Sequence, residues 1–448
     1  MPSEEKTAGH GDDVNALVID VGSRSVRCGF AGEDAPKMDH LSSMGKYTSH
    51  DDRRKGDVVY PLNVLVKKDH LGVHRCLSRD ERGLTSVDTE VFDAICRHIE
   101  KDLSVRFEET PVMLPEPTRH SKAFRDSIMD VLFNKYEVPA LYFCKDAVLS
   151  SFASGRSTSL VIDMGASRTS VSAVLDGFVL SNSVKDSPVG GDFLDQQLGL
   201  LLKQKGINAL PHFCFKRLTK DGGMTFENQP QDAGRVDASY YREARNDTLR
   251  LVKESMCRVA EDEAVASPDA MNVSLDQLPV AAEQPPYILP DGTQITARTI
   301  SPYTIPERLF RSDIIITPEQ QSDDAATGSG TEQAGLSHYQ GVPQMVVDCL
   351  NTCDADIPLQ LLSGVICTGG SSLFAGMADR MAKSLNADDC LGSSVKIKMI
   401  AHSAAVERRY SAWIGGSILA SLQSFQSRWV SKQEFHDHGA AIAERRCL

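Results

Sequence analysis

The sequence lacks an uninterrupted apolar run long enough to span a bilayer, and its first residues, MPSEEKTAGHGDD, contain no apolar core. We therefore predict neither a transmembrane helix nor a secretory signal, and we expect no membrane partner. The eleven cysteines are scattered along the chain and odd in number, which favours a reducing compartment over a disulfide framework. These absences predict a cytosolic or nuclear protein.

Positively charged residues are outnumbered: the sequence has 48 lysines and arginines and 61 aspartates and glutamates, which gives a net charge of −13. The average field of such a molecule repels a polyanion, so we expect no direct sequence-specific DNA binding. The net charge does not exclude binding to basic molecules or to other proteins. The composition, with 41% hydrophobic and 24% charged residues, is typical of globular proteins. A chain of 448 residues is too long for one simple hydrophobic core, so we expect two lobes or more.

The stretch ALVIDVGSRSVRCGFAG, from Ala16 to Gly32, predicts a strand, a tight turn and a second strand. Asp20 ends the first apolar run, and Gly22 and Ser23 lie in the turn. Small residues at such a bend let backbone N–H groups and a hydroxyl approach an anion, and a carboxylate at a strand end can hold a hydrated divalent cation. A single copy is more typical of an ordinary hairpin.

A second copy, SLVIDMGASRTSVSAVL, begins at Ser159 and repeats the plan with Asp163 and Gly165. Two acid-tipped hairpins at domain-scale separation predict a duplicated α/β unit whose halves face each other across a cleft. Such a pair can grip the phosphates of one nucleotide from both sides.

A third stretch, LLSGVICTGGSS, predicts a buried strand that ends at Gly369 and Gly370 and is followed by a helix. Adjacent glycines let a ligand lie against bare backbone. Many such connections bind nothing, but three turns of this kind in one chain favour a ligand cleft.

Elsewhere helices and short strands alternate, which is typical of an α/β fold. Apolar spacing predicts a strand at Pro111–Leu114, a hairpin turn at 290–292, and helices within Thr85–Glu100, Ser121–Tyr136, Ser187–Leu202 and Ala244–Glu263. We expect a disordered tail at 1–13, a first lobe at 14–158 with a polar loop at 45–57, and a second lobe at 159–448. Composition predicts insertions at about 206–237, 264–286 and 317–337.

Five segments together resemble the actin superfamily: ALVIDVGSRSVRCGFAGEDAPK, FASGRSTSLVIDMGASRTS, ILPDGTQIT, CTGGSSLFAGMADRM and ERRYSAWIGGSILASLQSFQSRWVSKQEF. They begin at residue 16 and continue close to the last residue, so the resemblance covers nearly the whole chain. It implies an actin-like ATPase fold, with two duplicated lobes and mostly parallel sheets around a nucleotide cleft. It also implies a C-terminal segment that returns to the first lobe, and ATP (or ADP) with Mg²⁺ (or Ca²⁺) in the cleft.

The same resemblance assigns roles to individual positions. Asp20 and Asp163 match the acids around the cation, and Ser23 and Arg27 match phosphate contacts. The remaining implied nucleotide-binding residues are Gly22, Gly165, Gly190, Lys253, Glu254, Gly369, Gly370, Phe374 and Arg409.

Departures from the actin pattern affect hydrolysis most. Ala166 and Ser167 stand where actin has an acid and a glycine, Asp146 replaces the glutamine that orients water, and Ser170 replaces a nearby histidine. Attack by water needs a positioned polar group, so we expect nucleotide binding with absent or slow hydrolysis. Asp146 stays open as a water-orienting position, and we assign no catalytic residue.

Further motifs, including FCKDAVL, SPVGGDF and the terminal ERRCL, are similar to a nuclear subfamily of actin-related proteins, the fourth class. The resemblance implies a nuclear structural subunit of chromatin remodellers or histone acetyltransferase complexes. Its implied partners are actin, a long scaffold helix of a remodelling ATPase or acetyltransferase subunit, and histones in nucleosomes.

Two other classes of function stay open. The polar loop at 45–57 differs from the filament-forming loop of actin, yet a cytoskeletal actin or filament-forming relative is the main alternative. A sugar kinase or chaperone ATPase of the same superfold would need another domain in place of the actin-like C-terminal segment. Two pairs of residues could be taken for metal ligands, His436 with His438 and Cys349 with Cys353. Neither has a second pair of ligating residues at a suitable spacing, so we expect no metal there.

Overall fold

The computed structural model describes residues 16–48, 54–220, 223–228, 235–261, 285–316, 336, 338–386 and 397–447. Its strands are β1 Leu17–Val21, β2 Ser25–Phe30, β3 Met38–Leu41, β4 Ser43–Tyr47, β5 Val58–Val59, β6 Leu71–Arg75, β7 Leu77–Arg79, β8 Thr85–Val87, β9 Val112–Glu116, β10 Ala140–Lys145, β11 Ser159–Met164, β12 Thr169–Leu175, β13 Phe178–Val179, β14 Lys185–Ser187, β15 Phe215–Lys220, β16 Gly223–Asn228, β17 Tyr287–Ile288, β18 Gln294–Ile295, β19 Val365–Thr368, β20 Met399–Ile400 and β21 Val430–Ser431. Its α-helices are α1 Thr89–Leu103, α2 Lys122–Met129, α3 Asp146–Ala153, α4 Gly191–Gln204, α5 Ala238–Met256, α6 Val342–Leu350, α7 Ile357–Leu362, α8 Met377–Asn386, α9 Ala405–Arg409, α10 Ser411–Ser421, α11 Lys432–His438 and α12 Ala441–Arg446.

The first large sheet has the strand order β21-β10-β9-β1-β2-β3. β1 pairs parallel with β9 and antiparallel with β2, in a register that sets Asp20 opposite Arg27. All of β1 is buried, which accounts for its continuous apolar run. The predicted first hairpin is therefore confirmed, and its acid lies where β1 turns into β2.

The second large sheet repeats this plan. β11 pairs antiparallel with β12 and parallel with β19, β20 continues beside β19, and β13 and β14 both pair with β12. Asp163 lies in β11 opposite Ser170. The second hairpin is confirmed, and the mixed sheets with flanking helices confirm the α/β class.

Helix α1 shows how local sequence sets these elements. The side chain of Asp88 accepts hydrogen bonds from the backbone of Glu90 and Val91, which satisfies free N–H groups of the first turn. Ser104 ends the helix in a left-handed conformation, at φ 53°. Apolar side chains from Val91 to Ile99 are buried on one face, so the opposite face is left for polar residues.

The C-terminal segment completes the core of the first sheet. β21 pairs with β10, and the indole Nε1 of Trp413 in α10 donates to the Val18 carbonyl in β1 at 3.1 Å. Arg125 pairs with the fully buried Glu116 at 2.6 Å and donates to the Cys447 carbonyl at 2.8 Å. Residues far apart in sequence therefore share one core.

Several predicted boundaries need correction. The helix placed at Ser121–Tyr136 stops at Met129 and continues as a π-helix over Asp130–Lys135, and α5 covers Ala238–Met256 instead of Ala244–Glu263. The region placed at 206–237 as irregular contains the hairpin β15-β16. The predicted turn at 290–292 connects β17 and β18 as expected. Outside the described residues lie the tail at 1–13 and most of the insertions at 264–286 and 317–337.

Among the described residues, no helix combines the length and the apolar character needed to cross a membrane. The ten described cysteines are all free thiols.

Candidate functional site

The two acid-tipped hairpins face a shared cavity of about 790 Å³. A cavity of this size accommodates a nucleotide-sized ligand. Of the residues predicted to bind nucleotide or cation, those that line it are Asp20, Gly22, Ser23, Arg27, Asp163, Gly165, Lys253, Glu254, Gly369, Gly370, Phe374 and Arg409.

The hairpin tips have the same turn geometry and touch. The Gly22 N–H donates to the Ser25 carbonyl at 3.0 Å, and the Gly165 N–H donates to the Arg168 carbonyl at 2.9 Å. The hydroxyl oxygens of Ser23 and Ser167 lie 2.6 Å apart. A phosphate chain at this point would therefore meet both hairpins at once.

Two buried carboxylates occupy the cavity wall. Asp20 accepts from Arg27 at 2.8 Å, and burial raises its pKa although Arg27 opposes the shift. Burial and the nearby charge of Asp146 raise the pKa of Asp163 to about 6, against the charges of Arg168 and Arg27. Oxygen ligands that are costly to ionise alone fit a bound divalent cation, which compensates their charge.

The first hairpin also offers unused hydrogen-bond donors. Arg27 Nε and Arg24 Nη1 are buried and have no hydrogen-bond partner among the described residues. Arg24 is held by Asp247 of α5 at 3.1 Å and lies 3.6 Å from Glu243. Buried guanidinium donors without a partner are costly, and a phosphate oxygen would satisfy them. These donors therefore suit the phosphate groups of a nucleotide.

Lys253 and Arg409, two of the residues implied to bind the nucleotide, are held by neighbouring side chains. Lys253 lies 2.8 Å from Asp195 and donates to the Gly191 carbonyl at 2.7 Å. Burial, limited by Lys253, raises the pKa of Asp195 to about 6. Arg409 donates to Asp39 at 2.8 Å, which fixes its guanidinium beside strand β3.

The glycines have different roles. Gly369 has φ 89°, and a Cβ there would lie 2.4 Å from Asp163 Oδ1, so only glycine fits. A Cβ on Gly370 would meet nothing within 4 Å. Gly190, predicted to bind nucleotide, is not among the cavity-lining residues; a Cβ there would lie 2.6 Å from the Ala166 carbonyl oxygen, so it packs against the second hairpin while Gly191 lines the cavity.

Asp146 lies in the cavity wall with both carboxylate oxygens engaged. Oδ1 accepts from the Thr118 hydroxyl at 2.5 Å and from the backbone of Ala147, and Oδ2 accepts from Arg168 Nη2 at 2.7 Å. Arg168 also lies 3.7 Å from Asp186. Asp146 is thus a partner of Arg168 rather than a free carboxylate.

Arg168 and Arg24 were missed by the sequence reasoning. A signal existed, because both hairpins carry a Ser-Arg dipeptide in the turn: Ser23-Arg24 in the first and Ser167-Arg168 in the second. Internal repetition of a cationic residue at a turn predicted to bind anions indicates a role for it. Thr118 gave no comparable signal.

The actin family model matches residues 11–448. This chain belongs to the actin family. It is 34% identical over 464 residues to the protein named Actin-related protein 4 of Oryza sativa subsp. indica, which covers 98% of this chain and 99% of the relative. The Arabidopsis thaliana protein of that name is 33% identical over 98% of this chain and 99% of its own length, and the Schizosaccharomyces pombe protein is 30% identical over 98% of each.

These likenesses confirm the predicted resemblance to the fourth class of actin-related proteins. The actin family fold typically binds a nucleotide and a divalent cation, and the shared cavity carries side chains that suit both.

Proposed function

We propose that this actin-family chain is a nuclear actin-related protein that binds ATP as a structural subunit of chromatin-remodelling or histone acetyltransferase complexes. The observation that carries the proposal is the contrast within one cavity. The donors and acids suited to phosphate and cation are retained, whereas the carboxylate at the water-orienting position is bound by Arg168. Such a site favours holding a nucleotide over consuming it.

The residues then act as follows. Backbone N–H groups of the two hairpins, together with Arg27, hold the phosphates, and Asp20 and Asp163 hold Mg²⁺. The cation neutralises phosphate charge. A nucleotide held by both hairpins would favour the folded, closed arrangement by mass action. Fast hydrolysis would need a water positioned by a free polar group, and neither Asp146 nor Ala166 provides one.

The partners we propose are actin and a long scaffold helix of a remodelling ATPase or acetyltransferase subunit. Histones are a further proposed partner, since a net charge of −13 complements basic histone surfaces and repels bare DNA. The proposal accords with the likeness to proteins named Actin-related protein 4.

Affinity purification of the tagged protein from its own cells in mild salt, followed by mass spectrometry, tests the assignment. Recovery of actin with a remodelling ATPase or an acetyltransferase scaffold is expected. Recovery of cytoskeletal partners alone, with robust pelleting of the pure protein after addition of Mg-ATP and salt, would assign it to filaments instead.

The role of the nucleotide has its own test. Protein stripped of nucleotide should melt at a higher temperature with Mg-ATP than without it, and bound nucleotide recovered from the untreated protein should remain largely ATP. Identical melting temperatures would refute a stabilising role for ATP.

A further inference from the structure

We propose that His40, His98 and Asp102 form a zinc-binding site between strand β3 and helix α1, separate from the nucleotide's cation. One ligand atom from each of the three side chains lies within 4.8 Å of the other two. His98 and Asp102 are four residues apart in α1 and therefore share one face of the helix. His40 comes from β3, so the site would join two elements that are distant in sequence.

The histidine pair contains an unsatisfied polar atom. Nε2 of His98 is buried and has no hydrogen-bond partner in the described part of the chain. The two imidazole rings are 5.2 Å apart, and the Tyr60 ring packs edge-on against His98 at 5.4 Å. The Tyr60 hydroxyl is likewise buried without a partner there. A buried nitrogen without a hydrogen-bond partner is costly. Coordination of a metal ion would use the lone pair of this nitrogen.

The chemistry of the three side chains selects the metal. Two imidazoles and one carboxylate suit zinc, whereas Mg²⁺ and Ca²⁺ prefer oxygen ligands alone. Three protein ligands leave the fourth position of a tetrahedral zinc to water or to a partner. Exposed Asp102 leaves the site reachable from solvent, while His40 and His98 are partly buried.

The proposed zinc site would also stabilise part of the cavity wall. Asp39, beside His40 in β3, accepts from both Arg409 and the Tyr410 hydroxyl at 2.8 Å. His40 itself is among the cavity-lining residues. A metal that ties β3 to α1 would therefore anchor the strand that holds Arg409.

Calorimetric titration of ZnCl₂ into the full chain tests the proposal. The protein is first treated with EDTA and then saturated with Mg-ATP, so that Asp20 and Asp163 do not compete for zinc. We expect one Zn²⁺ per chain. His98→Gln and Asp102→Asn should each weaken binding by at least about tenfold, the lower limit of what even outer-shell changes cost at zinc sites.

The chain supplies its own control. His436 and His438 are exposed in α11, and within the described part of the chain they belong to no group of three metal-ligating side chains, so His436→Gln with His438→Gln should leave the titration unchanged. Exposed Asp102→Asn should keep the fold, which circular dichroism and the melting temperature can verify. Equal zinc binding by the wild type and the folded Asp102→Asn and His98→Gln proteins would overturn the proposal, as would loss of binding only in the His436/His438 variant.

Discussion

Arg168 Nη2 donates to Asp146 Oδ2 at 2.7 Å, and this ion pair continues through Asp186 to Arg79. The four side chains alternate in charge, and they come from both halves of the structure. Asp146 follows β10 and Arg79 ends β7, whereas Arg168 and Asp186 belong to the β11-β12 hairpin and β14. The pair of Asp146 and Arg168, both of which line the cavity, therefore connects the end of β10 in the first large sheet with the hairpin of the second.

The first prediction concerns the ion pairs of Arg168. Arg168→Leu should lower the free energy of unfolding by about 3 kcal/mol, because it leaves the partly buried Asp146 without its counterion and removes one of the two guanidinium partners of Asp186. Urea denaturation measures the change. Arg106→Leu is the control, since Arg106 pairs with exposed Glu108 and Glu109 and should have little effect. An unchanged midpoint for Arg168→Leu would show that the pair does not stabilise the fold.

The second prediction separates the two acids of the cavity. Asp163→Ala should weaken binding of a fluorescent ATP analogue in Mg²⁺ by about tenfold or more, because it removes a proposed cation ligand. Asp146→Ala should change affinity by less than about threefold, because Asp146 is already paired within the protein. Equal losses would refute the different roles assigned to the two carboxylates.

The third prediction uses adjacent glycines with different surroundings. Gly369→Ala should cost at least about 2 kcal/mol of stability, since its backbone is in the left-handed region and its Cβ would meet Asp163. Gly370→Ala should leave the melting temperature of nucleotide-free protein nearly unchanged, because the added Cβ meets nothing. Its effect should appear only on addition of ATP, as a smaller stabilisation; a stabilisation equal to that of the wild type would exclude close contact with Gly370.

The fourth prediction concerns pH. Burial opposes ionisation of Glu116, but hydrogen bonds from Arg125 and His120 and the charge of Lys145 hold its pKa well below the ordinary 4.5. A carboxyl whose pKa is lowered on folding stabilises the protein above its unfolded pKa and loses that contribution as the pH falls. The stability difference between the wild type and Glu116→Gln should thus be greatest near neutral pH and shrink below 4.5.

The exposed Glu108 provides the comparison for that experiment. It pairs with Arg106 at 2.8 Å in contact with water, so Glu108→Gln should show no comparable dependence on pH. A difference for Glu116→Gln that stayed constant from neutral to acidic pH would contradict the assignment of Glu116 as an ionised buried group.

The sequence was sufficient to predict both hairpins because their apolar runs, acids and small turn residues are local signals. It also predicted that residues as distant as Asp20 and Gly369 share a site, through the repeat and the family resemblance. It could not predict that Arg168 engages Asp146, because that contact depends on how two sheets meet. The start of α5 was misplaced for a related reason: Tyr240 is buried only because other elements pack on it.

Gly190, predicted to bind nucleotide, lies next to the cavity-lining Gly191 and is not itself among the lining residues. A glycine just before a helix is compatible with contact to a ligand and also with close packing against another backbone segment. For Gly190 the structure indicates close packing, because a Cβ there would lie 2.6 Å from the Ala166 carbonyl oxygen. Pattern alone cannot choose between Gly190 and Gly191.

Trp413, Trp429 and Val430 complete a core whose other members begin at Ala16. During synthesis, the strands β1, β9 and β10 therefore leave the ribosome long before their covering residues exist. The strands of the second sheet lie between Ser159 and Ile400, so all of them are synthesised before Trp413. The early strands must stay shielded from aggregation in the meantime, so production of this protein should depend on chaperone supply more than its final stability would indicate.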